Sequence, residues 1–157
     1  MHRPYNTDVP ENLRAILQAL ADIDETIIFP VHPRTQGKIA ELEGAVGAPE
    51  RQGSVKMIPP VGYLDMLALE QHARLILTDS GGMQKEAFFF GVPCVTLRPE
   101  TEWVETVRSG WNELAGADPH RIIRSARRRD WPEGPSPALF GDGRAADKIV
   151  SKLTEEL

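Results

Sequence analysis

Apolar positions along this chain of 157 residues switch repeatedly between two periods, and each switch marks a change of element. In "PENLRAILQALADI", Leu13, Ile16, Leu17 and Leu20 are spaced three, one and three apart, which lines one face of a helix. Asp8 with Glu11 three residues on reads as a capping box at its start. "TIIFPV" (Thr26 to Val31) is a β-branched apolar run of strand length, followed by the amphipathic helix "KIAELEGAV". Val55 to Ile58 is a short strand ended by Pro59 and Pro60. The helix "YLDMLALEQHA", the buried-type strand "RLILTD" and the helix "MQKEAFFFG" come next, the last closed by Gly91. "PCVTLR" is a further strand, "TEWVETVRSG" a helix and "NELAGA" a weak strand. "DPHRIIRSARRR" is a helix with Asp118 as cap and Pro119 at its first position. A Pro- and Gly-rich loop over 130–141 leads to the closing helix "GRAADKIVSKLTEEL".

Strands alternating with helices predict a mostly parallel sheet covered on both faces, with right-handed connections. The expected fold is therefore α/β: a Rossmann-like, doubly wound parallel sheet forming one domain over residues 1–157. Ligands bind outside the carboxyl ends of the strands in such sheets, which points to the loops after Val31, Ile58, Asp79 and Arg98. No strand precedes the first helix, although a Rossmann-like half usually opens with one. The expectation is a start inside a larger protein.

Composition narrows the function classes. The chain is 41% hydrophobic and 26% charged, as in a soluble globular protein. Its net charge of −5 provides no field to attract nucleic acid or an anionic membrane. No apolar run nears the roughly 18 residues of a membrane span, and "MHRPYNTDVPENL" lacks a signal-peptide core. The single cysteine, Cys94, permits no internal disulfide. These features together predict a cytoplasmic protein. No Cys/His cluster suggests a metal, no cofactor is implied, and the serine of "DSGG" lacks the setting of a hydrolase nucleophile.

The candidate chemistry lies in "LTDSGGMQKE", where a strand hands over to a helix. A helix N-terminus leaves its first amides unpaired and partially positive. Glycines let a phosphate approach that backbone, and Ser80 adds a hydroxyl. Glu86 lies four residues after Gly82, one turn into the helix, where a carboxylate suits a ribose diol rather than a phosphate. The alternative reading is a glycine turn capped by Asp79 or Ser80. "FFF" at 88–90 reads as core, Trp103 and Trp111 as packing residues, and Arg127 to Arg129 as a solvated helix end. His72 and His120 receive no role.

The stretches "HRPYNTDVPENL", "FPVHPRT", "PVGYLDMLALEQHARLILTDSGGMQKEAFFFGVPCVTLRPETEWVETVRSGWN" and "GDGRAADKIV" together resemble, in matching order, the C-terminal half of the non-hydrolysing UDP-N-acetylglucosamine 2-epimerases. The resemblance implies one half of a two-domain, glycosyltransferase B (GT-B) type fold with UDP-sugar in the cleft between domains. It implies interconversion of UDP-GlcNAc and UDP-ManNAc by elimination and return of UDP. It implies that His2 acts in the catalytic cleft, that Ser80, Gly81 and Gly82 hold the diphosphate, and that Glu86 holds the ribose. Met66 falls beside the uracil, His32 at the cleft mouth, and Arg98 and Glu102 in a segment facing the same cleft. The implied partners are a UDP-sugar, the N-terminal domain, which carries the acid/base carboxylates, and a second copy of the full-length protein. Tyr5 and Trp103 depart from the pattern, standing where a glutamate and, in some members, an arginine are usual. Two other functions fit the same half-cleft: a UDP-sugar glycosyltransferase, or a non-catalytic nucleotide-binding fragment that pairs with a separate N-terminal domain.

Overall fold

The structure, a computed structural model, describes residues 1–46 and 55–155. Every predicted element within that range is present. In chain order they are α1 (Pro4–Thr7), α2 (Pro10–Ala21), β1 (Ile27–Pro30), α3 (Pro33–Val46), β2 (Val55–Ile58), α4 (Tyr63–Gln71), β3 (Ile76–Thr78), α5 (Gly81–Phe90), β4 (Cys94–Thr96), α6 (Val104–Arg108), β5 (Asn112–Leu114), α7 (Pro119–Arg127) and α8 (Ala145–Glu155). All strand pairings are parallel.

The strands do not form one sheet. Among the described residues, β1 pairs only with β2, whereas β3, β4 and β5 form a separate three-stranded sheet. The apolar face of α2 supplies Leu13, Ile16 and Leu20 to a core shared with Phe29, Val95, Leu97 and Ile122. A smaller cluster of Ile76, Ala87, Val92 and Cys94 anchors α5 to the second sheet.

Local signals explain most boundaries. Asp118 accepts from the amides of His120 and Arg121, as an N-cap before a first-turn proline should. Gly91 ends α5 in the left-handed region at φ 64°. The capping box expected for α2 is absent. The N-cap is Val9 without a side-chain bond, because Asp8 ends α1 and pairs with Arg34. The Arg34 hydrogen bond holds the Asp8 carboxyl below its usual range. Helix α3 begins at Pro33, five residues earlier than the periodicity of "KIAELEGAV" predicts, because a proline is favourable in a first turn.

Of the "FFF" triplet only Phe88 is fully buried, and Phe89 is 58% exposed. Phe89 and Phe88 instead pack edge-on against Phe140, which ties the 130–141 loop to α5. Trp111 is core, as expected. Of the three arginines, Arg128 lies over the Trp131 ring and Arg129 pairs with Glu25. Helix α8 has no buried residue, and its Ile149, Val150 and Leu153 face outward.

Two glycines separate backbone strain from crowding. Gly91 and Gly116 both have φ near 65°. A Cβ at Gly91 would lie 2.6 Å from the Gly134 carbonyl oxygen, whereas one at Gly116 meets nothing. Gly116→Ala should therefore cost only the left-handed penalty of about 1–2 kcal/mol. Gly91→Ala should cost clearly more, because the neighbouring backbone must also move. Denaturant unfolding of the two variants checks this, and equal losses would refute the crowding.

Candidate functional site

Residues from both sheets meet at the carboxyl ends of the strands, around the Asp79 side chain. Asp79 follows β3 and is fully buried. Its carboxylate accepts from the amide of His2 (3.1 Å to both oxygens), the amide of Arg3 (3.0 Å) and Asn6 Nδ2 (3.1 Å). The Met1 ammonium lies 4.0 Å away. Asn6 donates also to the Leu97 carbonyl. The Met1 carbonyl accepts from Thr35 Oγ1 at 2.6 Å, linking this segment to α3. The "HRPYN" stretch is thus fixed between β1 and β3 from its main chain outward.

This placement brings His2 beside His32, with ring centroids 5.7 Å apart. His2 Nδ1 is 3.7 Å from Asp79 Oδ1. Burial lowers the His2 pKa from its ordinary value, and the opposing Asp79 charge does not restore it. The exposed His32 accepts from the Arg34 amide through Nδ1 (3.2 Å), which directs its other ring nitrogen outward.

The serine–glycine turn has the geometry that an anion needs. Ser80 is the N-cap of α5, and its hydroxyl accepts from the Met83 amide at a long 3.5 Å. Among the described residues, the amides of Gly81 and Gly82 donate to nothing. Gly82 is exposed, and a Cβ there would meet only Ser80 Oγ at 3.7 Å, so the corner is open. Trp103 Nε1 donates to the Gly81 carbonyl at 2.8 Å and braces the turn. Lys85 Nζ lies 4.3 Å from the ring centroids of both Trp103 and Phe140. Below the turn, buried Gln84 accepts from Asn112, which also accepts from Thr96, locking α5 to β4 and β5.

Arg98 and Glu102 face this turn. The guanidinium of Arg98 meets both Glu102 oxygens at 3.1 and 3.0 Å. Glu102 Oε2 would stand 3.6 Å from a Cβ at Gly81. The carboxyl of Glu102 is held below its usual range, first by its own amide and then by Arg98, against the effect of burial. Arg98 therefore offsets a carboxylate that would repel an anion at the turn.

Glu86 and Met66 lie on the α4 side. Glu86 accepts from the Tyr63 hydroxyl at 3.2 Å, which raises the Tyr63 pKa. Met66 is half-buried and lines a groove beside Val61 and Met83. Sequence reasoning missed Asp79 as the central acceptor, Trp103 as a brace, and Glu70. Glu70 is 2% exposed, and among the described residues neither of its oxygens has a partner. Burial, reinforced by the Glu86 charge, pushes its carboxyl up to about 7. The Asp in "DSGG" was a usable signal for the first. Nothing in the helical pattern around Glu70 indicated burial.

The fold is parallel α/β, with an open helix N-terminus at the carboxyl end of β3. The UDP-N-acetylglucosamine 2-epimerase family model matches residues 1–154, and the chain belongs to that family. A UDP-N-acetylglucosamine 2-epimerase homolog of Methanococcus maripaludis is 47% identical over 98% of this chain. A UDP-2,3-diacetamido-2,3-dideoxy-D-glucuronate 2-epimerase of Pseudomonas aeruginosa is 44% identical over 99%. The Methanocaldococcus jannaschii UDP-GlcNAc 2-epimerase, solved with UDP-GlcNAc and UDP, superposes with a TM-score of 0.79 at 39% identity, covering 98% of this chain. In each case the chain spans 43% of the relative's length. Among the described residues, no helix is long and apolar enough to cross a membrane, and no group of His, Cys, Asp and Glu is arranged to hold a metal.

Glu70 gives a pH test. A carboxyl with its folded pKa raised from 4.5 to about 7 holds its proton more tightly when folded. Its contribution is fully favourable below about pH 4.5 and is lost as pH rises through 7. Glu70→Gln should flatten that part of the stability profile and stabilise the chain at pH 8. Unfolding midpoints from pH 5 to 8 measure it, and parallel profiles for the two proteins would rule the assignment out.

Proposed function

We propose that this chain forms a single UDP-binding domain over residues 1–157, the nucleotide-binding half of a UDP-N-acetylglucosamine 2-epimerase. The observation that carries this reading is the pair of Gly81 and Gly82 amides, without an acceptor among the described residues, at an open helix N-terminus with Glu86 one turn further in. Helix α5 is ten residues long, so its dipole adds to the two donors and the Ser80 hydroxyl. A diphosphate sits on that turn. Glu86 accepts from the ribose hydroxyls, exchanging its bond to Tyr63 for them. Met66 packs beside the uracil, since a thioether adapts to a flat base.

His2, held over the turn by Asp79, contacts the departing diphosphate oxygen in the cleft. With its pKa lowered it is neutral near pH 7 and can take or give a proton. His32, Arg98 and Glu102 line the same mouth. In the elimination, the C2 proton and UDP leave opposite faces of the sugar. UDP then returns and the proton is delivered to the other face, which inverts C2. The groups that move the C2 proton belong to the second wall, a further N-terminal domain. The outward Ile149, Val150 and Leu153 of α8 support such a domain as a partner. The full-length protein acts as a homodimer in the cytoplasm, in line with its single, buried thiol, whose pKa burial pushes up to about 12. The substrates named for its relatives support UDP-2-acetamido sugars as the class.

Titration of the isotope-labelled chain with UDP tests the site. The amides of Ser80, Gly81 and Gly82 should shift at millimolar ligand. Glu86→Gln should weaken UDP about tenfold, the loss of one charged hydrogen bond, and leave inorganic pyrophosphate unaffected. Purified alone, the chain should not epimerise UDP-GlcNAc. UDP binding elsewhere, or turnover by this chain, would overturn the proposal. A complete protein that consumed UDP-GlcNAc only with an acceptor present would be a glycosyltransferase instead.

A further inference from the structure

The serine–glycine turn is braced from outside its own helix. Ser80 caps α5 at only 3.5 Å, whereas the Gly81 carbonyl accepts the indole proton of Trp103 at 2.8 Å. Trp103 stands at the N-terminus of α6, and its side chain makes no cap there. Its ring is fixed instead by a half-buried ammonium group. Lys85 Nζ lies 4.3 Å from the ring centroid of Trp103, 4.3 Å from that of Phe140 and 5.6 Å from that of Phe89. Phe140 meets Trp103 edge-on, with centroids 5.9 Å apart and ring planes at 84°. Among the described residues, Lys85 has no carboxylate partner. The spacing explains the meeting. Gly81 and Lys85 are four residues apart on α5, so they share one face, one turn apart. Trp103 spans that turn, with its nitrogen at Gly81 and its ring under Lys85. Phe140 reaches the same place from the end of the Pro- and Gly-rich loop.

A lysine stem on an apolar surface is ordinary when its ammonium reaches past that surface into water. Here the ammonium itself lies over two rings that stand nearly perpendicular. A cation within about 6 Å of a ring centroid is attracted by the ring's electron-rich face, most strongly by indole. One charge over both faces fixes the angle between the rings, which neither ring does alone. We infer that Lys85 is a positioning residue of the serine–glycine turn: its ammonium holds Trp103 against the Gly81 carbonyl and makes Phe140, and with it the 130–141 loop, part of the site. The inference rests on the UDP-binding reading for what the turn holds, and on the ring geometry alone for how the turn is held. Two glycine amides capture an anion only when both converge on it. A turn braced before the ligand arrives spares the ordering cost at binding. Lys85 thus acts through Trp103 and is not itself a phosphate ligand.

Hydrogen exchange of the Trp103 indole proton tests the brace with no ligand present, the signal being assigned by its loss in Trp103→Phe. Lys85→Met keeps the length of the side chain and removes its charge. It should speed that exchange about fivefold, the loss of one partly buried cation–ring contact. Phe140→Leu should speed it too, and Lys85→Arg should keep the parent rate. If Lys85→Met folds poorly, Lys85→Gln reads the same proton. Equal rates in the parent and the uncharged variant overturn the inference, and so does an arginine variant that behaves like the methionine one. Titration with inorganic pyrophosphate then tests the route. Lys85→Met should weaken pyrophosphate about fivefold in the parent chain and cause no further loss in Trp103→Phe. The same loss in both backgrounds would make Lys85 a direct phosphate ligand and overturn its positioning role. A parent chain that binds neither UDP nor pyrophosphate overturns the functional reading, and the ligand-free exchange still decides whether Lys85 holds Trp103, so the two fail separately.

Discussion

One buried carboxylate organises this molecule. Asp79 follows the first strand of one sheet, yet its oxygens accept main-chain hydrogens from His2 and Arg3, at the far end of the sequence, and a side-chain hydrogen from Asn6. A buried ionised carboxylate is costly unless its lone pairs are filled. Here the donors are backbone amides, which cannot swing away, so charge-assisted bonds convert that cost into geometric definition. Because Asn6 also reaches the Leu97 carbonyl, and Thr35 the Met1 carbonyl, the same knot joins β3, β4 and α3. Across the described residues, the two sheets share no strand pairing. Side-chain packing of α2 and this polar knot connect them instead.

The same aspartate separates two adjacent tasks. Its neighbour Ser80 caps α5 only loosely, at 3.5 Å, and among the described residues the next two amides have no acceptor. Had Asp79 been the cap, its charge would have satisfied those donors and repelled any anion. Buried and facing the other way, it leaves the helix N-terminus positive and open. Trp103 then fixes the turn through the Gly81 carbonyl, which does not consume a donor. An indole at this position stiffens the turn without adding charge, and Arg98 offsets the carboxylate of Glu102.

Periodicity made the order and type of most elements legible because helices such as α2 and α7 have a buried side that repeats at the helical period. Asp118, Pro119 and Gly91 marked ends through local chemistry alone. Asp8 failed as a cap because its partner, Arg34, is 26 residues away, and no local pattern encodes that distance. Phe89 failed as core because the helix covers its sheet with only one face, and three consecutive positions cannot all point inward. The serine–glycine turn was legible in the sequence as the start of a helix, with Glu86 one turn further in. Trp103 and Glu70 were not, and of Asp79 only its place in "DSGG" was, since each takes its role from contacts between elements.

The division of the sheet shows the limits of pattern more sharply. Five strand signals in an alternating chain imply one sheet, and each signal was correct. A strand pattern reports whether a segment is extended and buried on its faces, not whether both edges are filled. β1 and β3 satisfy the first condition while each keeps one open edge, and Ile28 remains exposed as a result. The missing pairing falls beside the site rather than at the sheet's outer rim. Among the described residues, the main-chain donors of Ile28 and Leu77 have no partner: an edge is filled or left open by neighbours that no pattern within one strand records.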